Sequence, residues 1–334
     1  MRAVGLLAHR PGVLTDLALP VPAPGARDLL VRVEAISVNP IDVKRRQAAA
    51  GQAPGPEGPA TILGWDAAGT VEAVGSGVSL FRPGDRVCYA GDITRPGCNS
   101  EQHLIDERLA GAVPPTLPLA EAAALPLTTI TAWESLFDRM AIDPGGTHRG
   151  RTILIVNGAG GVGSIAIQLA RLAGLHVIAT ASRPASRAWC LQLGAQEVVD
   201  HRGDLVQLVG RPIDYVAQFS GMLDSHWPAL TELVAPQGRI VSIVGNQQPL
   251  AMEALRAKSA SLSWELMFTR ARFQTPDMIE HHRLLGRVAA WVAEGRLQPT
   301  RTDTVGPIRA ATLQGVHDRV AAGDTIGKLV LEGW

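Results

Sequence analysis

The sequence is poor in cysteine and has no net charge, and each shortage excludes a class of protein. The three cysteines, Cys88, Cys98 and Cys190, form no Cys-x-x-Cys pair and leave an odd count. That usage argues against a disulfide framework and favours reduced thiols in a cytoplasm. Lysine plus arginine equals aspartate plus glutamate at 31 each. No electrostatic case therefore arises for binding nucleic acid or an anionic membrane.

Long apolar runs are also missing. No run approaches the roughly 18 residues of a membrane span, and the apolar part of residues 1–10 is too short for a signal peptide. Apolar residues make up 46% of the 334 residues and charged residues 19%, which indicates a globular chain long enough for two cores. We therefore expect a cytoplasmic protein that binds neither nucleic acid nor membranes.

The pattern of the sequence changes near residue 122. Before it, proline, glycine and short β-type runs predict a largely β region, and the Ala/Gly/Pro-rich stretch 47–59 is expected to be a loop. After it, helical patterns alternate with short apolar strands, predicted at 152–156, 175–181, 197–200, 213–217 and 238–245. This alternation predicts an α/β fold with a doubly wound parallel sheet. A helix over 277–293 and a strand over 328–331 are expected to follow.

The strongest functional motif lies between the strand 152–156 and the next helix. Apolar residues from Val162 to Ala173 recur on one helical face, and the spacing Gly-x-Gly-x-x-Gly precedes them. In such a loop the first glycine permits a tight turn, the second lets a pyrophosphate approach, and the third lets helix and strand pack. The N–H groups of the helix N-terminus then bind the anion. We predict a dinucleotide site made by Gly158, Ala159, Gly160, Gly161, Val162 and Gly163.

The end of the second strand indicates which nucleotide is bound. NAD-specific sites place Asp or Glu there to hold the ribose 2′-hydroxyl, but residues 180–187 contain no acid. Ser182, Arg183 and Arg187 instead offer a hydroxyl and guanidinium groups, which bind a 2′-phosphate. Alternatively, Ser182 only caps the next helix, with Pro184 in its first turn, and the arginines are solvated. The pattern favours NADPH and leaves open which arginine holds the phosphate.

Further motifs are spread over the whole chain. They are Val38–Asp42, Gly64–Val71, Phe81–Val87, Leu125–Trp133 and Gly327–Leu331. Together with the glycine loop, they resemble the medium-chain dehydrogenase/reductase superfamily, in its zinc-free quinone-oxidoreductase-like branch. The most similar group is often labelled zinc-binding alcohol dehydrogenase family protein. The resemblance implies a GroES-like β-barrel catalytic domain over 1–122, a Rossmann domain over 123–265, a return to the catalytic domain over 266–334, and a homodimer.

Zinc ligands are where the sequence departs from the alcohol dehydrogenases of this superfamily. Those members hold a catalytic zinc with a Cys, a His in a Gly-His-Glu motif, and a later Cys or acid. Here the segment Asn39–Asp42 takes the first position and Trp65 the second, and tryptophan does not ligate metals. The four-cysteine structural lobe is missing as well. We predict no metal site, with a cluster of Cys98, His103 and Asp106 as the alternative.

The resemblance also implies the remaining site residues. Asn39, Asp42 and Asp66 are the candidate catalytic side chains, while Trp65 and Phe268 would form an apolar slot for a flat ring or enone. Each has an ordinary alternative: a cap before Pro40, an acid in the first helical turn, a buried carboxylate, or plain aromatic core.

Further cofactor contacts are implied for residues outside the glycine loop. They are Thr129, His201, Val244, Gly245, Asn246, Gly327 and Lys328. The segment 244–246 is expected at the last Rossmann strand. His201 takes the position where relatives place a Tyr beside the adenosine, and it either stacks there or lies on the surface. Gly327 and Lys328 match a segment that closes over the cofactor, or they simply begin a strand.

No proton donor is evident in the sequence. Enoyl-thioester reductases of the superfamily carry a Tyr in the helix after the Asn39 motif, where this chain has Val43 and Lys44. Reduction of a quinone or an activated enone can take its proton from water, so the protein would supply mainly proximity and orientation. The sequence thus predicts an NADPH-dependent, zinc-independent reductase that transfers hydride to a quinone or an α,β-unsaturated carbonyl. The alternatives are a zinc-dependent alcohol dehydrogenase and a non-catalytic NADPH-binding protein of the crystallin-like type.

Overall fold

The computed structural model describes residues 1–56 and 58–334, which divide into two compact units. The first, here the β-rich unit, contains Met1–Leu127 and Phe268–Trp334. The second, here the Rossmann unit, contains Thr128–Met267. In the described residues, no helix is both long enough and apolar enough to cross a membrane.

The helices and strands are numbered along the chain. The strands are β1 (Arg2–Leu7), β2 (Arg10–Ala18), β3 (Asp28–Ser37), β4 (Thr61–Ile62), β5 (Ala67–Val74), β6 (Arg86–Tyr89), β7 (Gln102–Asp106), β8 (Ala110–Ala112), β9 (Thr152–Val156), β10 (His176–Thr180), β11 (Glu197–Val199), β12 (Ile213–Gln218), β13 (Val234–Ser242), β14 (Ser261–Trp264), β15 (Arg301–Thr304) and β16 (Lys328–Glu332). The helices are α1 (Pro40–Ala50), α2 (Leu119–Ala123), α3 (Pro126–Trp133), α4 (Gly161–Leu172), α5 (Pro184–Gln192), α6 (Leu205–Val209), α7 (Leu223–Leu233), α8 (Glu253–Arg256), α9 (Thr269–Phe273), α10 (Glu280–Ala293) and α11 (Ala310–Ala321).

The β-rich unit is built around β3. This strand is buried along most of its length and pairs antiparallel with β5, β7 and β16. One sheet runs in the order β15-β16-β3-β5-β6-β8, and a smaller one in the order β2-β1-β4. The register of β16 sets Val330 opposite Ser37. That pairing carries Lys328, which begins β16, to the segment that follows β3.

The Rossmann unit confirms the predicted parallel sheet. Its strands are all parallel, in the order β11-β10-β9-β12-β13-β14, which is the doubly wound order 3-2-1-4-5-6. The strand predicted over 152–156 has those bounds. The strand predicted over 238–245 instead spans Val234–Ser242, and it is not the last. The edge strand β14 was missed because it has only four residues, two of them serine.

The core of the Rossmann unit lies between the sheet and the helix α7. Leu154, Ile178 and Val216 from the sheet are fully buried, and Trp227 and Leu230 of α7 pack into the same cluster. Burial of an apolar side chain of this size stabilises the fold by about 1.5–3 kcal/mol. The apolar runs that predicted the strands are therefore the residues that fix the sheet against its helix.

Two local predictions were wrong. Residues 47–50, predicted as loop, are the last turn of α1, since glutamine and alanine are good helix formers; position 57 of the same stretch lies outside the described residues. The N-cap of α5 is Arg183 rather than Ser182. The hydroxyl of Ser186 accepts the N–H of Arg183 at 3.2 Å, so a residue inside the helix satisfies that donor. Gly194 lies just beyond the end of α5 and has a φ of +106°.

Candidate functional site

The glycine loop of the Rossmann unit follows β9, but the residue of this turn with a left-handed backbone conformation is not a glycine. Asn157 adopts a φ of +65°, a left-handed conformation that asparagine tolerates better than most residues. A Cβ on Gly158 would lie 2.8 Å from the Cβ of Ala179, and one on Gly163 would lie 2.3 Å from the backbone oxygen of Asn157. Gly158 is therefore required for strand and helix packing, not for the turn as predicted, whereas the predicted packing role of Gly163 fits the geometry.

The loop is anchored by the ends of three neighbouring strands. The N–H of Asn157 donates to the hydroxyl of Thr180 at 3.0 Å, at the end of β10. The side-chain amide of Asn157 donates to the carbonyl of Phe219 at 3.4 Å, just after β12. Gly160 is the N-cap of α4, and the first turn of α4 contains no acidic residue. Helix N-termini with these properties attract anions, so the loop fits a pyrophosphate.

The surroundings of Ser182 include an arginine that the sequence did not indicate. The guanidinium of Arg202 donates to the carbonyl of Ser182 at 3.0 Å and pairs with Asp200 at 2.8 Å. The side-chain hydrogen bond from Arg202, followed by that from its backbone N–H, lowers the pKa of Asp200 to about 2. Arg187, by contrast, donates to the backbone carbonyl of Val198 at 2.8 Å. Arg202 follows β11, which is next to β10 in the sheet, so a search of the neighbouring strand's end would have found it.

His201 lies beside the anchor of the glycine loop. Its Nδ1 is 3.4 Å from the hydroxyl of Thr180, and its ring centre is 6.4 Å from that of His226. Burial lowers the pKa of His201, so its neutral form is favoured. Of the two alternatives, the structure shows a half-buried ring at the end of β10 rather than a fully solvated one.

The other predicted cofactor residues of this unit differ in exposure. Thr129 lies in α3 and is fully buried, and its hydroxyl has no hydrogen-bond partner within residues 1–56 and 58–334. Val244 to Asn246 follow β13, where the carbonyl of Val244 accepts the hydroxyl of Ser242 at 3.0 Å. Gly245 and Asn246 are exposed. Thr129 is thus a buried donor that lacks an acceptor, and the segment after β13 presents backbone to solvent.

In the β-rich unit, the carboxylate of Asp66 is the centre of a buried polar cluster. One oxygen accepts the hydroxyl of Ser37 at 2.9 Å, the amide of Asn39 at 2.7 Å and the ammonium of Lys328 at 3.0 Å. The other accepts the N–H of Leu127 at 2.7 Å. Asp66 is fully buried and Lys328 nearly so. Both oxygens are engaged, so Asp66 has the contacts of a structural carboxylate rather than of a free base.

The ammonium of Lys328 is hydrogen-bonded to three acceptors within this cluster. Besides Asp66, its ammonium donates to the carbonyl of Val38 at 3.0 Å and to the side-chain oxygen of Asn39. An ammonium has three donors, and each has an acceptor here. Gly327, which precedes it, has a φ of +56°, and a Cβ there would lie 2.4 Å from the carbonyl oxygen of Thr300. Lys328, predicted as a cofactor contact, therefore positions Asn39 and Asp66 in this structure.

Asp42 is the second buried carboxylate of the cluster. It stands in the first turn of α1 and accepts the backbone N–H of Asn39 at 2.7 Å. The side chain of Asn39 also binds Asp66 and Lys328. Burial raises the pKa of Asp42 to about 7, against the opposing effects of the Asn39 N–H and Lys328. Asp42 is therefore the member of the cluster that can hold or lose a proton near neutral pH.

Trp65 and Phe268 are brought together as the sequence predicts. Their ring centres are 6.3 Å apart in an edge-to-face arrangement. The guanidinium carbon of Arg45 lies 5.1 Å from the Trp65 ring centre, a distance typical of a cation–π contact. Trp65 is 1% exposed.

The donor set does not fit a catalytic zinc. In residues 1–56 and 58–334, no group of three or more His, Cys, Asp or Glu side chains has the arrangement of a metal site. The alternative cluster is dispersed among other partners: Cys98 donates to the carbonyl of Asp66, His103 lies between Tyr89 and Pro96, and Asp106 binds Arg108. Since catalytic zinc requires three converging ligands, no step of the chemistry below is assigned to a metal.

Comparison with known proteins agrees with this architecture. Residues 25–124 match the family model of the alcohol dehydrogenase GroES-like domain, and residues 193–331 match that of the zinc-binding dehydrogenases. A zinc-type alcohol dehydrogenase-like protein from Staphylococcus aureus is 41% identical over 93% of this chain and 92% of its own length. A chloroplastic quinone-oxidoreductase homolog from Spinacia oleracea is 29% identical over 96% of this chain and 94% of its own.

Solved structures show the same fold over the whole chain. A Rhizobium etli protein described as a zinc-dependent alcohol dehydrogenase superposes with a TM-score of 0.91, with 46% identity over 100% of this chain and 98% of its own. A mycobacterial protein solved with NADPH superposes with a TM-score of 0.81, with 27% identity over 99% of this chain and 100% of its own. These matches confirm the GroES-like and Rossmann folds.

The fold and the glycine loop define an oxidoreductase that binds a pyridine nucleotide. More narrowly, the chain belongs to the medium-chain dehydrogenase/reductase superfamily, among its zinc-type alcohol dehydrogenase-like proteins.

Proposed function

We propose that this protein is an NADPH-dependent, zinc-independent reductase of quinones or α,β-unsaturated carbonyls. One observation carries the proposal: the position of the metal-ligating histidine holds the buried Trp65, and the adjacent Asp66 is already bound by Lys328. Protein groups thus take the contacts that a metal would need. The spinach relative named as a quinone-oxidoreductase homolog and the mycobacterial structure with NADPH support the substrate class and the cofactor.

The residues that would hold the cofactor follow from the Rossmann unit. NADPH supplies a hydride, that is, two electrons and a hydrogen, when it is bound. The N-terminus of α4 and the loop 158–163 would bind the pyrophosphate. Ser182, Arg183 and Arg202 would bind the 2′-phosphate, with Arg187 as the alternative cation. The unpartnered hydroxyl of Thr129 would gain an acceptor on the cofactor.

In the β-rich unit, the cluster would orient the acceptor and manage the proton. Lys328 and Asp66 fix the side chain of Asn39 in one orientation. Asp42, with a pKa of about 7, is the group that can hold a proton near neutral pH. Solvent water would supply the proton that completes the reduction, as the absence of a tyrosine in α1 implies.

Oxidation of NADPH and of NADH by the purified protein tests the proposal. The panel is 1,4-benzoquinone, 9,10-phenanthrenequinone and an alkenal, with a primary alcohol run against NADP⁺, each with and without a chelator. Turnover of a quinone or the alkenal with NADPH, unchanged by the chelator, is the expected result. Alcohol oxidation that the chelator abolishes would establish a zinc-dependent alcohol dehydrogenase instead. Nucleotide binding without turnover of any compound would favour a non-catalytic NADPH-binding protein.

A homodimer is proposed from the edge of the Rossmann sheet. The strand β14 lies at the end of the strand order, and the neighbouring Trp264 and Leu266 are 46% and 49% exposed. Open strand edges with exposed apolar residues favour pairing with another chain, and a twofold axis would set two copies of β14 side by side. Light scattering should give twice the mass of the 35.3 kDa chain. A monomer for the wild type would contradict this arrangement, and Trp264→Glu should dissociate the dimer.

A further inference from the structure

The indole N–H of Trp65 is a buried donor without an acceptor. Other tryptophans of this protein satisfy theirs: Trp227 donates to the carbonyl of Ala251 and Trp189 to the hydroxyl of Ser164. Trp65 is 1% exposed, yet its Nε1 has no hydrogen-bond partner in the described part of the chain. Buried polar groups are nearly always hydrogen-bonded, and an exception calls for an explanation.

Gly91 lies beside the same edge of the ring. It is buried and has a φ of +82°. Its own chain neighbours aside, a Cβ added there would have one heavy atom within 4 Å, Cδ1 of Trp65 at 3.8 Å. Cδ1 is bonded to Nε1 in the indole, so Gly91 borders the N–H edge and no side chain from this position blocks it.

The charges around Trp65 favour an oxygen that becomes negative. Arg45 places its guanidinium 5.1 Å from the ring centre, and Phe268 packs edge-on against the same ring. The ring pair is apolar, while the arginine adds a positive field. Donors aimed at the point where negative charge develops lower the barrier of carbonyl reactions.

We propose that the indole N–H of Trp65 donates a hydrogen bond to the carbonyl oxygen of the hydride acceptor. The inference rests on the proposed function, since it assumes an acceptor that carries such an oxygen. When a hydride supplied by NADPH, which is oxidised to NADP⁺, adds to the β-carbon of an enone, a C–H bond of the nicotinamide breaks, a C–H bond forms at the β-carbon, and the C=C electrons shift toward the carbonyl. The C=O π electrons then move to oxygen and give an enolate. Trp65 stabilises that oxygen without losing its own proton, and water protonates the enolate.

Two substitutions of Trp65 separate the N–H from the shape of the ring. Trp65→Phe removes the N–H, and it should lower kcat/KM for a quinone and an enone by about tenfold or more, mainly through kcat. Trp227→Phe is the matched control, because it removes another buried indole, 4% exposed, from the core of the Rossmann unit and should leave kcat/KM unchanged. Replacement of Trp65 by benzothienylalanine, which puts sulfur in place of N–H at nearly constant shape, should reproduce the loss if Trp65→Phe fails to fold. Wild-type kcat/KM in the benzothienylalanine variant would overturn the inference.

A spectroscopic titration tests the contact without turnover. In protein labelled with ¹⁵N at the indoles, the Trp65 signal is the one absent from Trp65→Phe. Cyclohex-2-enone should move this signal downfield, and cyclohexene, which has the same ring without the oxygen, should not. No shift with the enone in a wild-type protein that reduces it would overturn the inference. Failure of the wild type to reduce any quinone or enone would reject the proposed function instead, and the titration would then decide the Trp65 contact on its own.

Discussion

The glycine loop of the Rossmann unit and the Asp66 cluster of the β-rich unit differ in how their polar groups are arranged. The glycine loop of the Rossmann unit is partly exposed at Gly160, Gly161 and Val162, has no acid in the first turn of α4, and contains glycines that permit close packing. The Asp66 cluster of the β-rich unit is closed: Asp66, Asn39 and Lys328 satisfy one another in the interior. The loop is arranged to receive an anion, whereas the cluster already contains its own cation.

This difference bears on the finding that the described residues contain no group of side chains arranged as a metal site. A buried carboxylate needs a positive charge beside it, and a metal or an ammonium can supply that charge. In this chain the ammonium of Lys328 does so, at 3.0 Å from Asp66. Trp65 in one unit and Thr129 in the other are among the buried polar groups without a partner in the described residues.

Removal of Lys328 should have the largest effect, because it breaks the closed cluster. Lys328→Met leaves the charge of Asp66 buried and uncompensated, and it should lower the free energy of unfolding by about 3–5 kcal/mol. The double variant Lys328→Met/Asp66→Asn should recover much of that loss. Arg319→Met is the control, since its pair with Asp303 is about half exposed and should contribute about 0–1 kcal/mol. Urea unfolding followed by tryptophan fluorescence measures all three, and equal losses for Lys328→Met and Arg319→Met would contradict the closed cluster.

The protonation of Asp42 provides a second test of the buried cluster in the β-rich unit. Its pKa of about 7 in the fold lies above the ordinary value of 3.8. The folded state therefore binds more protons than the unfolded state between these values, and the stabilising contribution of Asp42 falls as pH rises from about 4 to 7. Asp42→Asn keeps an acceptor for the Asn39 N–H and removes this titration.

The expected result for Asp42→Asn is a gain relative to wild type that grows with pH. Between pH 5 and pH 8 the difference in unfolding free energy should change by about 2–4 kcal/mol, since one pKa unit corresponds to about 1.4 kcal/mol. Urea titrations at several pH values measure it. A difference independent of pH would show that Asp42 does not titrate in this range.

Local patterns in the sequence predicted those parts of the fold that depend on residues close together in the chain. Strand β9 and the helix after it depend on apolar periodicity and glycine spacing, which are visible within twenty residues. The ion pair of Asp66 with Lys328 joins positions 262 residues apart, and no periodicity encodes such a contact. The same applies to the contact of Arg202 with Ser182, which depends on β11 lying next to β10. The left-handed conformation at Asn157 was missed because the adjacent Gly158 is the more usual residue for it.

The close packing around Gly163 in the glycine loop gives a third prediction. Gly163→Ala would place a Cβ 2.3 Å from the backbone oxygen of Asn157. Because this is a backbone atom, it cannot move aside by a change of rotamer. Such overpacking costs about 1–3 kcal/mol, and the displaced loop should bind NADPH at least about tenfold more weakly. Gly315→Ala is the control, because a Cβ there meets no heavy atom within 4 Å. Calorimetric titration with NADPH measures the affinity, and unchanged binding by Gly163→Ala would mean that the loop does not hold the nucleotide.

The smallest expected effect concerns the choice between NADPH and NADH. Arg202→Gln removes a guanidinium that touches Ser182, and it should weaken NADPH binding by about tenfold while leaving NADH binding unchanged. Arg211→Gln is the control, because Arg211 is an exposed arginine that pairs with Glu197. The same titration compares the two nucleotides for each variant. Equal weakening for NADPH and NADH would mean that Arg202 supports the loop rather than the 2′-phosphate, and loss of NADPH preference only in Arg183→Gln would assign the phosphate to Arg183.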